Sequence, residues 1–536
     1  MRTASGVVVA AVAAALPVAT GFQASQSWLP RGAAVRGSSA AVHVRPTLRA
    51  RSARSAPKMV AVRHSGGAER VRGPVLLCAS ACALLLFRFW CARDGCAGCA
   101  PQINPSEVKS HDQWILNLDH DAFRKDVSEL GRRLEKNQGE DDVKHLKKIC
   151  FWSNTCAVLG LATMWLPVGS PINIFSVLML SLWTMSRWTT IAHHTGHGGY
   201  NRADESGFFN SRGFAQGSLV KRTTQWFDWM LPEAWNIEHN NLHHYRLGEQ
   251  DDPDLVERNL EFVRTLKAPM AVKYGIVAFL ACTWKWFYYS PNTYKELKIM
   301  ERKKLGQPVT ADMRPSDAFT MKAFVDRYIP SVDVTMWYSL REFMAKVAGP
   351  YLLIHFFLMP LPCLLISQAA YLNAVATLFL ADVLTNIHSF IIIATNHAGS
   401  DLYKFEEGCK PNSATFYMRQ VVSSANFKTG SDWNDFWHGW LNYQIEHHVW
   451  PNLSALSYQR GQPELKAICE KHGVPYIQES VWTRLKKTTD IMVGKADQRP
   501  FPAALEKADD LKVWSAADTS ENSAKLGQDV KVAPAV

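Results

Sequence analysis

The chain has 536 residues, of which 47% are apolar and 19 are tryptophan, and its formal net charge is +11 at pH 7. Ten of these eleven net charges belong to residues 1–73, where eleven Arg and Lys side chains face a single acid, Glu69. The remaining chain is therefore close to neutral, which argues against nucleic acid as a partner. Five of the eleven cysteines fall within residues 78–99, so no spaced disulfide framework is predicted.

Residues 1–73 have the composition of a targeting sequence. Residues 1–21 contain one Arg, an apolar run at 7–18 and small residues at their end, which is typical of a secretory signal. Residues 22–68 contain eight Arg and Lys, many Ser and Ala, and no acid, which is typical of a transit peptide. This order resembles the bipartite plastid presequences of algae with secondary plastids. We therefore expect a plastid membrane protein, with the endoplasmic reticulum membrane as the alternative.

Residues 74–103 form an apolar segment and linker. The apolar run at 75–91 is interrupted by Arg88 and is short for the ~20 residues that a membrane span needs, so it is either a stop-transfer segment or a true anchor. Cys96 and Cys99 have redox spacing, but no βα pattern surrounds them, so a redox motif is not favoured.

Residues 104–148 are polar and predict a helical cap on the membrane domain. Apolar side chains recur there at helical spacing, which indicates one buried stripe. The residues of this stripe are Trp114, Ile115, Leu118, Phe123, Val127, Leu130 and Leu134.

Residues 149–490 predict a membrane domain with four spans. Two apolar segments, 149–168 and 172–185, are joined by a Gly-Ser-Pro turn, and segments 351–366 and 370–395 form a second pair. Segment 271–289 is also apolar, but it contains Lys273 and Lys285 and ends in five aromatic residues, so we expect an interfacial helix whose lysines reach water. The predicted fold is an all-α integral membrane protein with two transmembrane hairpins. Residues 491–536 are predicted to be a polar, disordered tail.

Eight of the eighteen histidines fall into three tight groups beside these apolar segments. The groups are His193, His194 and His197; His239, His243 and His244; and His447 and His448. Two histidines four residues apart leave the same face of a helix and can bind one metal ion or two neighbouring ones. One such pair is most often an ordinary surface pair, but three groups at the mouths of separate spans predict a metal site. Imidazole suits Zn, Cu, Fe or Ni, and about eight imidazoles exceed what one zinc ion binds and suit two irons.

Over residues 145–490 the chain resembles the membrane fatty acid desaturase and hydroxylase superfamily. Its three histidine boxes are HHTGH at 193–197, HNNLHH at 239–244 and QIEHH at 444–448. The third box starts with Gln444 where many members have His, and it is similar to the box of front-end acyl desaturases. The stretch 460–476 is also similar to their C-terminal helix.

The resemblance implies two iron ions and a ligand set that includes an additional histidine after the fourth predicted span. The implied ligands are His193, His197, His239, His243, His244, His397, His447 and His448. It places His194, Gln444 and Asn396 next to the ligands. Carboxylates commonly orient such imidazoles through their second nitrogen, and the candidates are Glu238, Asp251, Asp252, Asp254 and Glu446, each of which has an alternative role as a cap or surface acid.

The resemblance further implies oxygen-dependent desaturation of the acyl chain of a membrane lipid, bound in an apolar tunnel between the spans. The His-Pro-Gly-Gly sequence that marks a fused cytochrome b5 domain is not present, so the implied electron donor is ferredoxin or a free cytochrome b5. Two alternatives remain open. One is a carotenoid or sterol hydroxylase of the same superfamily, and the other is a membrane protein that binds metal without catalysis.

Overall fold

The computed structural model describes residues 108–309, 340–507 and 510–511. In this part the chain is mostly helical, with four strands of two residues each. The targeting sequence, the apolar run at 75–91, and Cys96 and Cys99 lie outside the described residues.

The cap contains helix α1 (His120–Lys136), which starts after Asp119, whose carboxylate accepts hydrogen bonds from two backbone N–H groups of the first turn. The predicted apolar stripe is confirmed on this helix, because the side chains of Phe123, Val127, Leu130 and Leu134 are buried. Gly131 allows the ring of Trp450 to lie against the helix, because a Cβ at this position would overlap the indole. The cap is therefore packed onto the segment that follows the third histidine group.

The first hairpin consists of helices α2 (Glu140–Thr163) and α3 (Pro171–Ser186). The turn contains Gly169 at φ +84°, and the Ser170 side chain caps α3. Helix α2 begins within the range predicted as cap and runs without a break into the apolar segment. Helix α3 continues through a π-helical turn (Arg187–Ala192) into a last turn, His193–Gly196, which carries the first histidine group.

The segment predicted as an interfacial helix is α4 (Met270–Trp284), which continues through a π-helical turn, Lys285–Tyr289, into α5 (Ser290–Lys304). The prediction that its lysines reach water is wrong. Lys285 Nζ lies 2.5 Å from Asp228 Oδ2, and both side chains are buried. Lys273 Nζ donates to the carbonyl oxygens of Arg264 and Val493. The acceptors lie before helix α4 or, in the case of Val493, far along the chain after it, so both lysines are satisfied inside the protein.

The second hairpin contains the two helical segments in the described residues that are long and apolar enough to cross a membrane, Arg341–Leu365 and Gln368–Asn396. The first is built from the turns Leu340–Phe343, Met344–Ala348, Gly349–Leu352, Leu353–Leu358 and Leu361–Leu365. The second is helix α6 (Gln368–Ile393) with the turn Ala394–Asn396. Helices α2 and α3 are formed but are not among these candidates, so the described residues contain two candidate spans and the four-span topology stays a prediction.

The chain after the second hairpin folds over the histidine groups through α7 (Ala414–Val422), α8 (Ala455–His472) and α9 (Val481–Met492). Tyr403–Lys404 pairs in parallel with Arg499–Pro500, and Asn426–Phe427 pairs in parallel with Gln478–Glu479. Phe501 is buried against Tyr403 and Phe405, so the expected disorder does not apply to residues 491–507. The tail beyond residue 511 lies outside the described residues.

Shorter helical turns complete the described structure. They are Ser110–Asp112, Gln113–Leu116, Leu219–Lys221, Arg222–Trp226, Pro232–Trp235, Asn236–Asn240, His243–Tyr245, Val256–Asn259, Glu261–Thr265, Asp432–Trp437, Leu441–Tyr443, Gln444–Val449 and Ala503–Leu505.

Candidate metal centre

Four separate segments bring the predicted histidines to one buried region. His193 and His197 stand on the last turn of the α3 extension, whereas His239 lies in the π-helical turn Asn236–Asn240. His397 directly follows the turn that ends α6, and the third histidine group lies in the helix Gln444–Val449. These helix ends converge although the first and the third histidine group are more than two hundred residues apart in the chain.

Five of these histidines form the first cluster, in which the candidate ligand atoms all lie within 4.8 Å of one another. The members are His193, His197, His239, His244 and His447. Three contacts join Nε2 atoms directly: His193 to His447 at 2.9 Å, His193 to His239 at 3.3 Å and His239 to His244 at 3.2 Å. The same ring atom of four imidazoles thus faces a common centre.

Three histidines, His243, His397 and His448, form the second cluster, also within 4.8 Å. Gln444 extends it, because its Nε2 atom lies 2.9 Å from His397 Nε2. Asn396 holds Gln444 in turn, since its amide donates to Leu441 O at 2.8 Å and to Gln444 Oε1 at 3.5 Å. Eight buried or nearly buried imidazoles therefore divide into a group of five and a group of three.

The first cluster fits a metal ion by the chemistry of its donors. Burial lowers the pKa of His193 and His447 well below the usual value, so both rings are neutral and each has one donor and one acceptor nitrogen. The Tyr458 hydroxyl uses its proton to donate to the carbonyl oxygens of Trp450 and Pro451. It therefore accepts from His447 Nδ1, which lies 3.3 Å away. The proton of His447 is then on Nδ1, and its Nε2 lone pair faces the centre of the cluster.

The His447 Nε2 lone pair lies 2.9 Å from His193 Nε2, and either an N–H of His193 or a metal cation bound by both rings satisfies it. Divalent metals bind imidazole at about 2.0–2.1 Å, which places neighbouring ligand nitrogens about 3 Å apart. The observed separations of 2.9–3.3 Å agree with this spacing. Several buried ring atoms also have no hydrogen-bond partner in the described part of the chain: His197 Nε2, His239 Nδ1, His244 Nδ1, His397 Nδ1 and both nitrogens of His448.

Asp252 occupies the position expected of an orienting carboxylate. Its Oδ1 accepts from His243 Nδ1 at 2.8 Å, and its two oxygens also accept from the backbone N–H groups of Gly248 and Asp254. Burial opposes protonation of His243, but the charge of Asp252 and this hydrogen bond raise the pKa of the imidazole. Asp254 lies farther away, with Oδ2 3.9 Å from the same nitrogen.

Three other carboxylates were candidates to orient an imidazole, but they do not contact one. Asp251 is half exposed and pairs with Arg246. Glu238 is buried and accepts from Asn292 Nδ2 at 3.3 Å. Glu446 accepts from Tyr476 and Asn426 at 2.7 and 2.8 Å, so it anchors the helix of the third group to the surrounding segments.

The remaining predicted neighbour, His194, lies beside the first cluster. Its Nδ1 is bonded to Thr190 O at 2.8 Å, and its ring stacks on His193. Sequence reasoning missed Tyr458, which contacts His447, and Trp235, whose ring stacks on His239 with centroids 4.5 Å apart. The pattern contains no signal for either, because tyrosine and tryptophan at helical spacing are also common core residues.

The three histidine groups lie inside the region that matches the model of a known family. The model of the fatty acid desaturase family matches residues 165–480, which is more than half of the chain. The chain belongs to the fatty acid desaturase family. No solved structure matches it.

Curated relatives of this desaturase family member match mostly over short stretches. A fatty acid desaturase 2-like protein FADS2B of Mus musculus is 40% identical over 14% of each chain. A Delta(8)-fatty-acid desaturase of Euglena gracilis is 31% identical over 23% of this chain and 26% of its own length. An NADPH-dependent stearoyl-CoA 9-desaturase of Mycobacterium tuberculosis is 28% identical over 72% of this chain and 81% of its own length. This chain thus spans about a seventh and a quarter of the first two relatives.

An apolar pocket opens onto both histidine clusters. Four of the clustered histidines and Gln444 line it on one side. Phe390 lines it from helix α6 of the second hairpin, whereas Trp188 lines it from the π-helical turn that follows α3. Helix α4 contributes a stripe that was not predicted, with Val277, Leu280 and Trp284 facing the pocket. The candidate metal ligands and a hydrocarbon-compatible surface therefore line the same pocket.

Proposed function

We propose that the chain is an oxygen-dependent acyl-lipid desaturase with two iron ions. The observation that carries the proposal is the pair of histidine clusters facing one apolar pocket in a chain of the fatty acid desaturase family. The balanced reaction converts one –CH2–CH2– unit, one O2, two electrons and two protons into one –CH=CH– unit and two water molecules.

One iron would be held by His193, His197, His239, His244 and His447, and the other by His243, His397 and His448. When bound, the pair would supply the oxidising power that removes hydrogen from an unactivated C–H bond, which no acid or base side chain can do.

The protein's own groups hold the imidazoles in the required protonation state. Asp252 keeps the proton of His243 on Nδ1, and the Tyr458 hydroxyl does the same for His447, so that both Nε2 atoms present lone pairs. Gln444 has an amide where a further imidazole is common in the superfamily, and its contact with His397 supports a place beside the second iron.

The apolar pocket supports an acyl chain as the substrate. Trp188, Trp284 and Phe390 exclude water and would position the methylene groups beside the clusters. The QIEHH sequence favours front-end desaturation. The printed name of the Euglena relative refers to a Delta(8)-fatty-acid desaturase, and that of the mycobacterial relative to a stearoyl-CoA 9-desaturase. We propose a plastid membrane as its location on the basis of residues 1–73, and four spans on the basis of the four apolar segments, with ferredoxin or free cytochrome b5 as the electron donor.

Expression of the full chain in a yeast host tests the proposed reaction. Fatty acid methyl esters with located double bonds should show a new unsaturated product that depends on the chain and is lost in a His448→Ala variant. Purified protein should contain two irons. A host with unchanged acyl chains but altered carotenoids or sterols would support the hydroxylase alternative and contradict the desaturase.

A further inference from the structure

A groove with an excess of positive charge lies on the cap along helix α1. Arg124, Lys125 and Arg132 line it, and all three are exposed. Lys125 and Arg132 have no carboxylate partner in the part of the chain that the structure describes. The single acid in the lining, Glu135, is paired with Arg202 at 3.2 Å. Arg124 lies 3.6 Å from Asp121, so the groove presents two cations, Lys125 and Arg132, without a matching anion among the described residues.

The inner wall of this basic groove is formed by Trp450 over Gly131, together with Tyr417 and Leu453. The Trp450 side chain is 6% exposed, and its Nε1 atom has no hydrogen-bond partner in the described part of the chain. The wall of the basic groove is thus an indole ring whose N–H group has no acceptor among the described residues.

Trp450 connects the groove with both histidine clusters. It follows His448 of the second cluster by two residues in the chain. Its carbonyl oxygen accepts from the Tyr458 hydroxyl at 3.1 Å, and that hydroxyl contacts His447 Nδ1 of the first cluster at 3.3 Å. Covalent bonds and hydrogen bonds therefore join the inner wall of the basic groove to the buried imidazoles.

We propose that the basic groove is the docking site of an acidic protein that carries one electron. The proposal rests on the desaturase function proposed above, because that reaction consumes two electrons that must come from outside. Each docked carrier is oxidised by one electron, so two carriers supply one double bond, and the two protons come from water. Positive charge alone would also suit a lipid phosphate surface. The contact chain to both clusters favours the redox partner, and complementary charge speeds such encounters.

A charge reversal in the groove tests the proposal in the full-length protein reconstituted in nanodiscs. The variant is Lys125→Glu/Arg132→Glu, and the matched control is Lys136→Glu, which changes an exposed lysine on the same helix outside the groove. The probes are reduced [2Fe–2S] ferredoxin and the soluble domain of cytochrome b5. We expect the apparent KM for at least one carrier to rise about tenfold in the variant and to stay unchanged in the control. Iron content and the KM for the acyl substrate should not change.

Salt provides a second measurement. The wild-type KM for the carrier should rise steeply with ionic strength, and the variant should show a weaker dependence, because screening acts on the same charges that the substitutions remove. An unchanged carrier KM in the variant, or an equal rise in Lys136→Glu, would overturn the docking site. Loss of binding to anionic vesicles without a change in carrier KM would reassign the groove to the membrane surface.

Chemical reduction separates this proposal from the proposed function. Protein reduced with dithionite and then exposed to O2 should form one double bond without any carrier, in the wild type and in the variant alike. If the wild type forms none, the desaturase function is wrong. If it forms one but neither carrier supports turnover, the desaturase function stands and the docking proposal falls.

Discussion

At the scale of single residues, two neighbouring carboxylates have different roles. Asp252 holds His243 Nδ1, whereas Asp251 pairs with Arg246 at the surface. Carboxylates that orient a metal-bound imidazole typically change metal affinity by about 10–100-fold. We therefore expect Asp252→Asn to lose iron from the second cluster with a weakening of this order, measured by iron titration against a chelator. Asp251→Asn is the matched control and should retain wild-type iron; equal behaviour of the two variants would contradict the orienting role.

The clustered histidines should be indispensable for activity but not for folding. His243→Ala or His448→Ala is expected to abolish desaturation while circular dichroism stays that of the wild type, because the helices satisfy their own backbone hydrogen bonds. His388→Ala is the control, since His388 contacts the carbonyl of Trp437 outside both clusters. Retained turnover in either cluster variant would exclude the assigned ligand set.

Gln444 allows a chemical test of the third box. Its Nε2 lies 2.9 Å from His397 Nε2, so Gln444→Ala removes a polar group from the second cluster. We expect this variant to be inactive and Gln444→His to keep part of the activity, because imidazole can take the place of the amide beside a metal. Product analysis in the expression host measures both, and wild-type rates in the alanine variant would mean that Gln444 has no role.

At the scale of elements, helix α9 and the segment after it form hydrogen bonds to the backbone around His397. Arg484 donates to the carbonyls of Thr395 and Ala398, and Gln498 donates to the carbonyl of His397 at 3.1 Å. Arg484 is fully buried and paired with Asp401 at 2.8 Å. These contacts come from residues beyond the stretch that matches the family model.

We expect Arg484→Ala to destabilise the protein by about 3 kcal/mol, because it leaves a partly buried carboxylate and two carbonyls without their donor. Thermal unfolding in detergent measures the loss, and Arg484→Lys should recover part of it.

Burial opposes the ionisation of Asp401, but Arg484 and Lys487 lower its pKa below the usual value. The stabilisation is therefore present at neutral pH and is lost as the pH falls through the lowered pKa. An Arg484→Ala variant as stable as the wild type would show that these hydrogen bonds are unimportant.

At the scale of the whole molecule, the clusters constrain the topology. The first two histidine groups follow the first hairpin, and His397 and the third group follow the second, yet all meet in one region. The chain between the second group and His397 must then cross the membrane an even number of times. The candidate spans Arg341–Leu365 and Gln368–Asn396 would account for two crossings, so we predict none for helix α4.

Cysteine labelling from each side of the membrane tests this topology. Single cysteines within residues 250–265 and 295–309 should react from the same side, because α4 does not cross between them. Labelling from opposite sides would mean that α4 is a span, and the common metal region would then be impossible.

The sequence by itself determined the chemistry and the local geometry. Residues four apart on a helix present one face, so the spacing of His193 and His197 and the buried stripe from Phe123 to Leu134 could be inferred from local rules. The residue types also determined the class of ligand, because clustered imidazoles without thiolates select a limited set of metals.

Only the tertiary structure decided which groups meet. The division of the imidazoles into five and three, the choice of Asp252 over Asp251, and the contact of Tyr458 with His447 depend on segments that are distant in the chain. The same holds for Lys285, which pairs with Asp228 instead of reaching water. A side chain takes the lowest-energy partner that packing brings within reach, and sequence spacing contains no information about a partner supplied by another element.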